Sequence, residues 1–306
     1  MIKIIYRSVR NEQPKLLTEY KIGSWVHIED AQGADIEKVA HDLNLDLNNM
    51  KDAMDPFEVS RIEQDNGVQY IFTRFAYHQE GHIFTTPLLV IIAPDYFVTV
   101  AREKLPLMER FDTGQTEFFT TQKTKLFIQL FLLINNEYQK LINEMRKNVR
   151  HTTVNVEKIQ NKDILKLVNI ETIFNDFLSS LQPAGITLEK LMSGKYLKLY
   201  EADTELVEDL LVGTRQLVEM SVTNLKAIAN FREAYSTIVS NNLNKTMKLL
   251  TAVTLILTIP TMIASFFGMN VGVPFSSHPL AFTWIVVATI GLSLGLIIVF
   301  WKKDYL

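Results

Sequence analysis

The apolar positions of this chain are concentrated in its last fifth. Two apolar runs, residues 246–267 and 282–301, are separated by a short break at residues 268–281. No Lys, Arg, Asp or Glu occurs between Lys248 and Lys302. Each run is long enough to cross a hydrocarbon core of roughly 30 Å as a helix. The pattern therefore predicts two transmembrane helices joined by a tight loop, and the alternative is a pair of buried helices in a soluble core.

The first predicted span carries a regular, mostly polar stripe. Its members recur at alternating steps of three and four and so share one face of a helix: Asn244, Met247, Thr251, Thr254, Thr258 and Thr261. Such a face should contact protein or water and not lipid. Because two spans of one chain cannot enclose water, the stripe predicts several copies that turn it toward a shared pore. The alternative is that the threonine hydroxyls donate to carbonyls of their own helix.

The distribution of basic residues predicts the orientation in the membrane. The predicted connecting loop has no Lys or Arg, whereas both spans are flanked by lysines on their other side: Lys245, Lys248, Lys302 and Lys303. The positive-inside rule then places both termini in the cytoplasm and the loop outside. Trp284 and Trp301 lie at the two ends of the second span, where aromatic residues anchor a helix at the membrane interface.

The first part of the chain has the alternation and composition of a mixed α/β domain, which we assign to residues 1–115. Five segments rich in β-branched and aromatic residues are predicted as strands of an at least partly antiparallel sheet: residues 2–7, 24–30, 68–77, 83–93 and 96–102. Residues 33–43 are predicted as a helix. Because no signal peptide precedes this domain, it is expected to stay in the cytoplasm.

Helical periodicity replaces strand patterns from Glu117 onward. Residues 116–245 are interpreted as a cytoplasmic helical stalk and residues 246–306 as the transmembrane hairpin with a basic tail. Helices are predicted at 121–149, 156–181 and from 201 onward, with breaks near 151–155 and at 183–185. Asp203 is a candidate N-cap of the last helix. That helix should run without interruption from the stalk into the first span.

Composition excludes several functions. The chain has 306 residues, a formal charge of −3 and no cysteine. A charge this small gives no electrostatic case for nucleic acid, and the absence of cysteine excludes disulfides and thiolate sites. Gly194-Lys195 has Glu189 where a phosphate-binding loop needs glycine. No Ser/His/Asp set has supporting context either, so we expect no enzyme activity.

The end of the first span carries the tripeptide Gly268-Met269-Asn270. Here the sequence resembles the CorA-type magnesium transporter family, whose signature is Gly-Met-Asn at the outer end of the first of two C-terminal membrane helices. The match extends forward to the basic tail and backward through six positions of the first span: Asn244, Met247, Lys248, Leu250, Thr251 and Thr261. The resemblance is at residue level for about the last sixty residues and architectural for the rest.

The resemblance implies a pentameric funnel in which the tripeptide is the selectivity filter. A ring of Asn270 carbonyls would accept hydrogen bonds from a hydrated Mg²⁺, an ion that gives up its waters reluctantly. A turn that a side chain would obstruct explains Gly268. The family's pore implies that Asn244, Met247, Leu250 and Thr261 line the channel. Met247 and Leu250 would form an apolar neck that gates by dewetting, although periodicity alone favours Thr251 over Leu250.

Family members also bind Mg²⁺ at acidic residues between subunits, and this binding favours the closed state. Counted back from Asn244, Asp209 falls on one such position, and its alternative is a solvated helix face. The partner region offers His78 and Glu80, but imidazole is a poorer Mg²⁺ ligand than carboxylate. His78 and His82 flank a predicted hairpin turn, yet two histidines without a third ligand are more often surface residues than a zinc site.

The resemblance thus implies a homo-oligomeric channel that carries Mg²⁺ into the cell across the inner or plasma membrane. A divalent ion gains roughly 4.6 kcal/mol per 100 mV, so the transport needs no permanently bound cofactor. Co²⁺ and Ni²⁺ are further candidate ions. Zinc transporters of the same architecture commonly vary the middle signature residue, so Met269 favours magnesium. A membrane-anchored scaffold or sensor is the alternative from another class, and it would require neither Asn270 nor the threonine stripe.

Overall fold

The computed structural model describes residues 1–112, 116–153, 159–197, 199–272 and 278–305. The chain divides into two compact units, Met1–Ala229 and Asn230–Leu306. The first contains all strands of the described residues and most of the helices. The second contains the apolar C-terminal part of the chain.

One seven-stranded sheet organises the first unit, in the order β2-β1-β3-β7-β6-β5-β4. Every neighbouring pair is antiparallel except β3 and β7, which are parallel, with Val26 opposite Val98. The strands are β1 (Ile2–Ser8), β2 (Asn11–Leu17), β3 (Trp25–Ile28), β4 (Arg61–Asp65), β5 (Val68–Gln79), β6 (His82–Ile92) and β7 (Phe97–Ala101).

The five strands that the sequence predicted are present, and the two that it missed are the edge strands. β2 pairs with β1 alone and contains Pro14, which is tolerated at a sheet edge because no ladder partner needs its N–H. In β4 only Ile62 is buried, and the four polar side chains of the strand are at least partly exposed. Neither segment has enough buried positions for a period-two pattern, so composition could not identify them.

Both faces of the sheet are covered. On one face, Val26 and Val98 pack with α1 (Gly33–Asp42) and α2 (Leu47–Asp52) in a single buried cluster. On the other face, the Trp25 ring makes edge-on contacts with Phe97, Phe111 and Phe118 at centroid distances of 6.0, 5.1 and 5.7 Å. Phe111 belongs to the short helix α3 (Met108–Asp112). Successive side chains of β3 therefore pack into two separate cores, one on each face of the sheet.

Two long helices, α4 (Lys123–Thr153) and α5 (Asn161–Met192), pack on β5. The buried Tyr138 of α4 joins the three elements, because its hydroxyl donates to the carbonyl oxygen of Arg74 at 3.3 Å and its ring meets Phe177 at 5.1 Å. Burial raises the pKa of Tyr138 well above its ordinary value. Of the predicted break near 151–155, residues 151–153 still belong to α4, and residues 154 and 155 lie outside the described residues.

Two details of the predicted helices are wrong. α5 continues through Pro183 and does not break at 183–185. Gly185 is buried there, and a side chain at this position would reach the Thr214 methyl at 3.9 Å, so helix packing outweighs the hydrogen bond that proline forfeits. Asp203 is not an N-cap. Its N–H donates to the Tyr200 carbonyl at 2.9 Å and it lies inside the first helical turn.

The last two helices are α6 (Glu201–Phe267) and α7 (Ala281–Lys302). α6 has 67 residues without a break, which confirms the predicted continuous helix. Both helices are long and apolar enough to cross a membrane, and the apolar windows of α6 and α7 are only 6% and 0% buried. A soluble core helix would be mostly buried, so this exposure argues against the buried-helix alternative.

A buried ionic group ties the start of the chain to the sheet. Glu29 is 5% exposed, and its carboxylate lies 2.8 Å from the Lys3 ammonium and 3.5 Å from the His27 Nε2. The His27 ring is held by Thr99, whose hydroxyl lies 2.8 Å from its Nδ1. The neighbouring His27, more than Lys3, lowers the pKa of Glu29 to about 2, although burial opposes this shift.

We predict that Glu29→Gln lowers the unfolding free energy at pH 7 by about 1–3 kcal/mol, because it removes a charged hydrogen-bond acceptor. The folded pKa lies below the unfolded value near 4.5, so the stabilisation is complete above that pH and is lost as the pH falls toward 2. Thermal unfolding of the detergent-purified protein at pH 7 and pH 3 should show a difference between variant and wild type that shrinks at pH 3. A constant difference would contradict this account.

Candidate functional site

The mostly polar stripe of α6 lies on the side of the helix away from α7. All six of its predicted members are exposed in the single chain, from Asn244 to Thr261. Ala252, by contrast, is fully buried, and the partly buried Ile256 and Ile263 share its side. At 100° per residue, the two sides are about 150° apart around the helix axis. The α6 residues that share a groove with α7 are Pro260, Ala264 and Phe267, none of which belongs to the stripe, so the stripe is free to face something other than its own chain.

Three threonines of the stripe also form the hydrogen bonds to their own helix that the alternative interpretation predicted. The Oγ1 atoms of Thr251, Thr254 and Thr261 each donate to the carbonyl oxygen four residues earlier, at 2.8 Å. A hydroxyl that donates in this way keeps its acceptor lone pairs. Among the stripe threonines, all within the described residues, Thr258 has no hydrogen-bond partner for its hydroxyl. The stripe thus presents acceptors to its surroundings.

A groove runs along this face of α6 near the predicted outer end. It encloses about 410 Å³ and contains Thr258 and Thr261. Ser265 lines the same groove and extends the stripe by one further step of four. Sequence analysis missed Ser265, although the spacing that identified the threonines would have found it. The groove is completed by three larger apolar side chains: Leu257, Met262 and Phe266.

The signature tripeptide follows the last residue of α6 directly. The Gly268 N–H donates to the carbonyl oxygens of Ala264 and Ser265, at 3.0 and 3.2 Å. A side chain at Gly268 would meet the same two oxygens at 3.4 and 3.5 Å, which is ordinary contact, and its φ is not positive. The expectation that this turn itself obstructs a side chain is therefore wrong for one chain. Met269 and Asn270 are both exposed.

The flanks of the two helices show where charged and aromatic groups lie. Trp284 and Trp301, near the two ends of α7, are 68% and 69% exposed. The Lys248 ammonium lies 5.3 Å from the ring centre of Tyr305. In the connecting loop, residues 273–277 lie outside the described residues. His278 accepts the Leu280 N–H on its Nδ1 at 3.2 Å.

The predicted regulatory residues do not meet within one chain. His78 Nε2 lies 3.1 Å from the Glu144 Oε2 of α4, a partner 66 residues away that sequence analysis did not identify. Glu80 sits in the β5–β6 turn with φ 51°, and Asp209 is exposed on α6. Within the described ranges, no three His, Asp or Glu side chains are arranged to hold a metal ion. A site that includes Asp209 therefore stays a prediction for an assembly.

Comparisons with known proteins agree over the whole chain. The family model for CorA-like Mg²⁺ transporter proteins matches residues 21–303. The cobalt/magnesium transport protein CorA of Methanocaldococcus jannaschii is 23% identical over 296 residues, which cover 90% of each chain. The complete structure of the CorA magnesium transporter from the same organism has a TM-score of 0.87 at 18% identity and covers 100% of this chain and 99% of its own.

A more distant similarity covers less of the chain. The cytoplasmic domain of ZntB from Vibrio parahaemolyticus has a TM-score of 0.67 at 9% identity and covers 78% of this chain and 98% of its own. Structural likenesses at such low identity establish the fold, a soluble α/β domain with a long helix and two apolar C-terminal helices. The family match establishes more, because it covers residues 21–303 and so spans both the α/β domain and the two apolar helices. The chain therefore belongs to the CorA-like Mg²⁺ transporter family, whose members are membrane transporters of Mg²⁺ or other divalent cations.

Proposed function

We propose that this protein is a magnesium channel in which five identical copies turn the α6 stripe toward a common axis. The observation that carries the proposal is the exposure of the stripe on the side away from α7, combined with its end at Gly268-Met269-Asn270. Copies related by rotation place the same side chains in rings. Rings of hydroxyl and amide oxygens give a cation a polar path that one hairpin alone does not provide.

The Asn270 ring selects the ion at the outer mouth. Mg²⁺ holds its inner waters tightly, so a filter of neutral acceptors can recognise the hydrated ion without stripping it. Amide carbonyls suit this task because they accept hydrogen bonds from the bound waters and carry no charge. Below the mouth, Thr261, Thr258 and Thr254 offer further acceptors. Ser265 adds one more, since it shares the groove with two of these threonines.

The inner half of the pathway forms the gate. Met247 and Leu250 are 52% and 59% exposed in the single chain, so their apolar side chains are available to meet at the axis. An apolar neck of this kind closes by losing its water. Thr251 is exposed as well and lies about 100° from Leu250 on the helix. A rotation of α6 by up to about 100° would therefore exchange an apolar lining for a polar one.

The membrane potential drives the ion inward. With both termini in the cytoplasm, as the positions of the lysines indicate, the Asn270 ring faces outside. A divalent cation then gains roughly 4.6 kcal/mol per 100 mV, and no permanently bound cofactor takes part. In the assembly, Asp209 of one copy and His78 and Glu80 of a neighbour form a cytoplasmic Mg²⁺ site that favours the closed state.

Other cations remain second candidates. The similar protein from M. jannaschii is named for cobalt as well as magnesium transport. The likeness to the ZntB domain concerns the fold of the cytoplasmic part alone, whereas Met269 keeps the signature typical of magnesium transporters. A scaffold or sensor without transport is the alternative from another class, and it leaves the stripe without a role.

Replacing the filter amide should stop transport. We predict that Asn270→Ala lowers Mg²⁺ uptake into proteoliposomes at least about tenfold, because a loss of 1.4 kcal/mol over the whole ring is sufficient for that change. Uptake is followed with a Mg²⁺-sensitive dye under an applied potential. Asn241→Ala, an exposed asparagine of α6 outside the stripe, is the matched control and should leave uptake unchanged. An assembled Asn270→Ala protein with wild-type uptake would remove the filter from the proposal.

Weakening the neck should open it. We predict that Met247→Ala raises the basal Mg²⁺ flux severalfold in the presence of internal Mg²⁺, because a smaller and less apolar constriction holds water more readily. Leu249→Ala removes a comparable side chain from the other side of α6 and should leave the flux at the wild-type level. Equal flux in wild type and Met247→Ala, measured in the same liposomes, would show that Met247 does not form the gate.

A further inference from the structure

A polar cavity of about 390 Å³ opens in the first unit, between the β5–β6 turn and the facing sides of α4 and α5. Three of the six histidines of the chain line this cavity: His78, His82 and His151. Asn148 and Asn169 contribute amides to the same lining. His78 and His82 lie on either side of the β5–β6 turn, in β5 and β6, whereas His151 belongs to α4, so it is the fold that brings the helix histidine to the hairpin.

Two of the lining groups already have the spacing of neighbouring metal ligands. His78 Nε2 and Glu144 Oε2 are 3.1 Å apart. Metal–nitrogen and metal–oxygen bonds of about 2.0–2.2 Å at tetrahedral or octahedral angles place adjacent ligand atoms roughly 3.0–3.4 Å apart. A metal ion can therefore replace the proton between these two atoms with little rearrangement. Both side chains are about 40% exposed, so an ion can enter from solvent.

The other two histidines supply the remaining positions. His82 and His151 are exposed, and exposed side chains change rotamer within nanoseconds. In the described parts of the chain no three ligands converge yet, so binding itself recruits the third imidazole while water completes the shell. The amides of Asn148 and Asn169 are placed to hydrogen-bond such waters. Lys166 also lines the cavity, but its ammonium lies 3.8 Å from Asp163, which offsets its charge.

The donor set determines which ion fits. Imidazole nitrogens with one carboxylate suit Zn²⁺, Co²⁺ and Ni²⁺, whereas Mg²⁺ prefers oxygen ligands and keeps its waters. We propose that His78 and Glu144, joined by His82 or His151, bind a transition-metal ion in this cavity. The ion links the β5–β6 turn to α4 within one chain. This site shares His78 with the proposed Mg²⁺ site between copies, but its other donors, Glu144 and a second histidine, come from the same chain, and it does not depend on the proposed transport.

The test is a binding measurement on the full-length protein in detergent, freed of metal with EDTA. Isothermal titration with Zn²⁺ is carried out in excess Mg²⁺, which occupies oxygen-rich sites. Wild type should bind one Zn²⁺ per chain, and His78→Ala should raise the Kd at least about tenfold, as the loss of a ligand does at zinc sites. Glu144→Gln, which is nearly isosteric, should do the same without disturbing the fold. At least one of His82→Ala and His151→Ala should also weaken binding.

His41→Ala is the matched control, because that side chain is 91% exposed and lies outside the cavity. Its Zn²⁺ affinity should equal that of wild type. Asn270→Ala should bind Zn²⁺ normally as well, which separates this site from the pore. Absence of a Mg²⁺-resistant Zn²⁺ site in wild type would overturn the proposal, and so would unchanged binding in both His78→Ala and Glu144→Gln. Slower deuterium exchange in the β5–β6 turn on adding Zn²⁺ would confirm the link to α4.

Discussion

Polar groups in a hydrocarbon layer must find partners, and this requirement governs the C-terminal helices. α6 meets this requirement because its packed residues and its polar residues lie on opposite sides of the helix. Ala252 and its neighbours pack on one side, and the hydroxyl stripe occupies the opposite side. Thr251, Thr254 and Thr261 donate to carbonyls of their own helix and so satisfy the hydroxyl hydrogen that would be costly to leave unpaired in lipid. Their acceptor lone pairs remain for water. Back-bonding and pore lining, which the sequence left as alternatives, are therefore compatible roles of the same side chains.

The sequence predicted the parts of the fold that have a periodic pattern. The central strands and the 67-residue α6 follow from alternation and from unbroken helical periodicity. The edge strands β2 and β4 bury too few side chains to generate a pattern. Local rules predict a helix break at Pro183 because they do not include tertiary packing, whereas α5 continues through Pro183 and buries Ala184 and Gly185. The errors thus occur where tertiary contacts outweigh local preference, or where one side of an element has no neighbour.

The residues of the candidate sites also fall into those that the sequence could identify and those that depend on tertiary contacts. Ser265 continued a visible spacing and was within reach of sequence analysis. Glu144 was not, because its contact with His78 spans 66 residues and depends on how α4 crosses the sheet. The predicted meeting of Asp209 with His78 and Glu80 needs more than one chain, and no pattern in a single sequence specifies which surfaces of two copies touch. Periodicity identifies a face, but the partner of that face is a property of the folded or assembled molecule.

The geometry at Gly268 has a consequence for mixed assemblies. A methyl group at this position makes only ordinary contacts with its own helix end, so one chain gives no reason to keep glycine there. In the ring proposed above, however, every copy would bring its tripeptide to the same narrow axis, and any added bulk would compete for space that all copies share. A cell that expresses normal and altered subunits together would then lose function out of proportion to the altered fraction, since one bulky copy impairs its normal neighbours. Inheritance of such a defect would be dominant even though each altered chain folds and inserts normally.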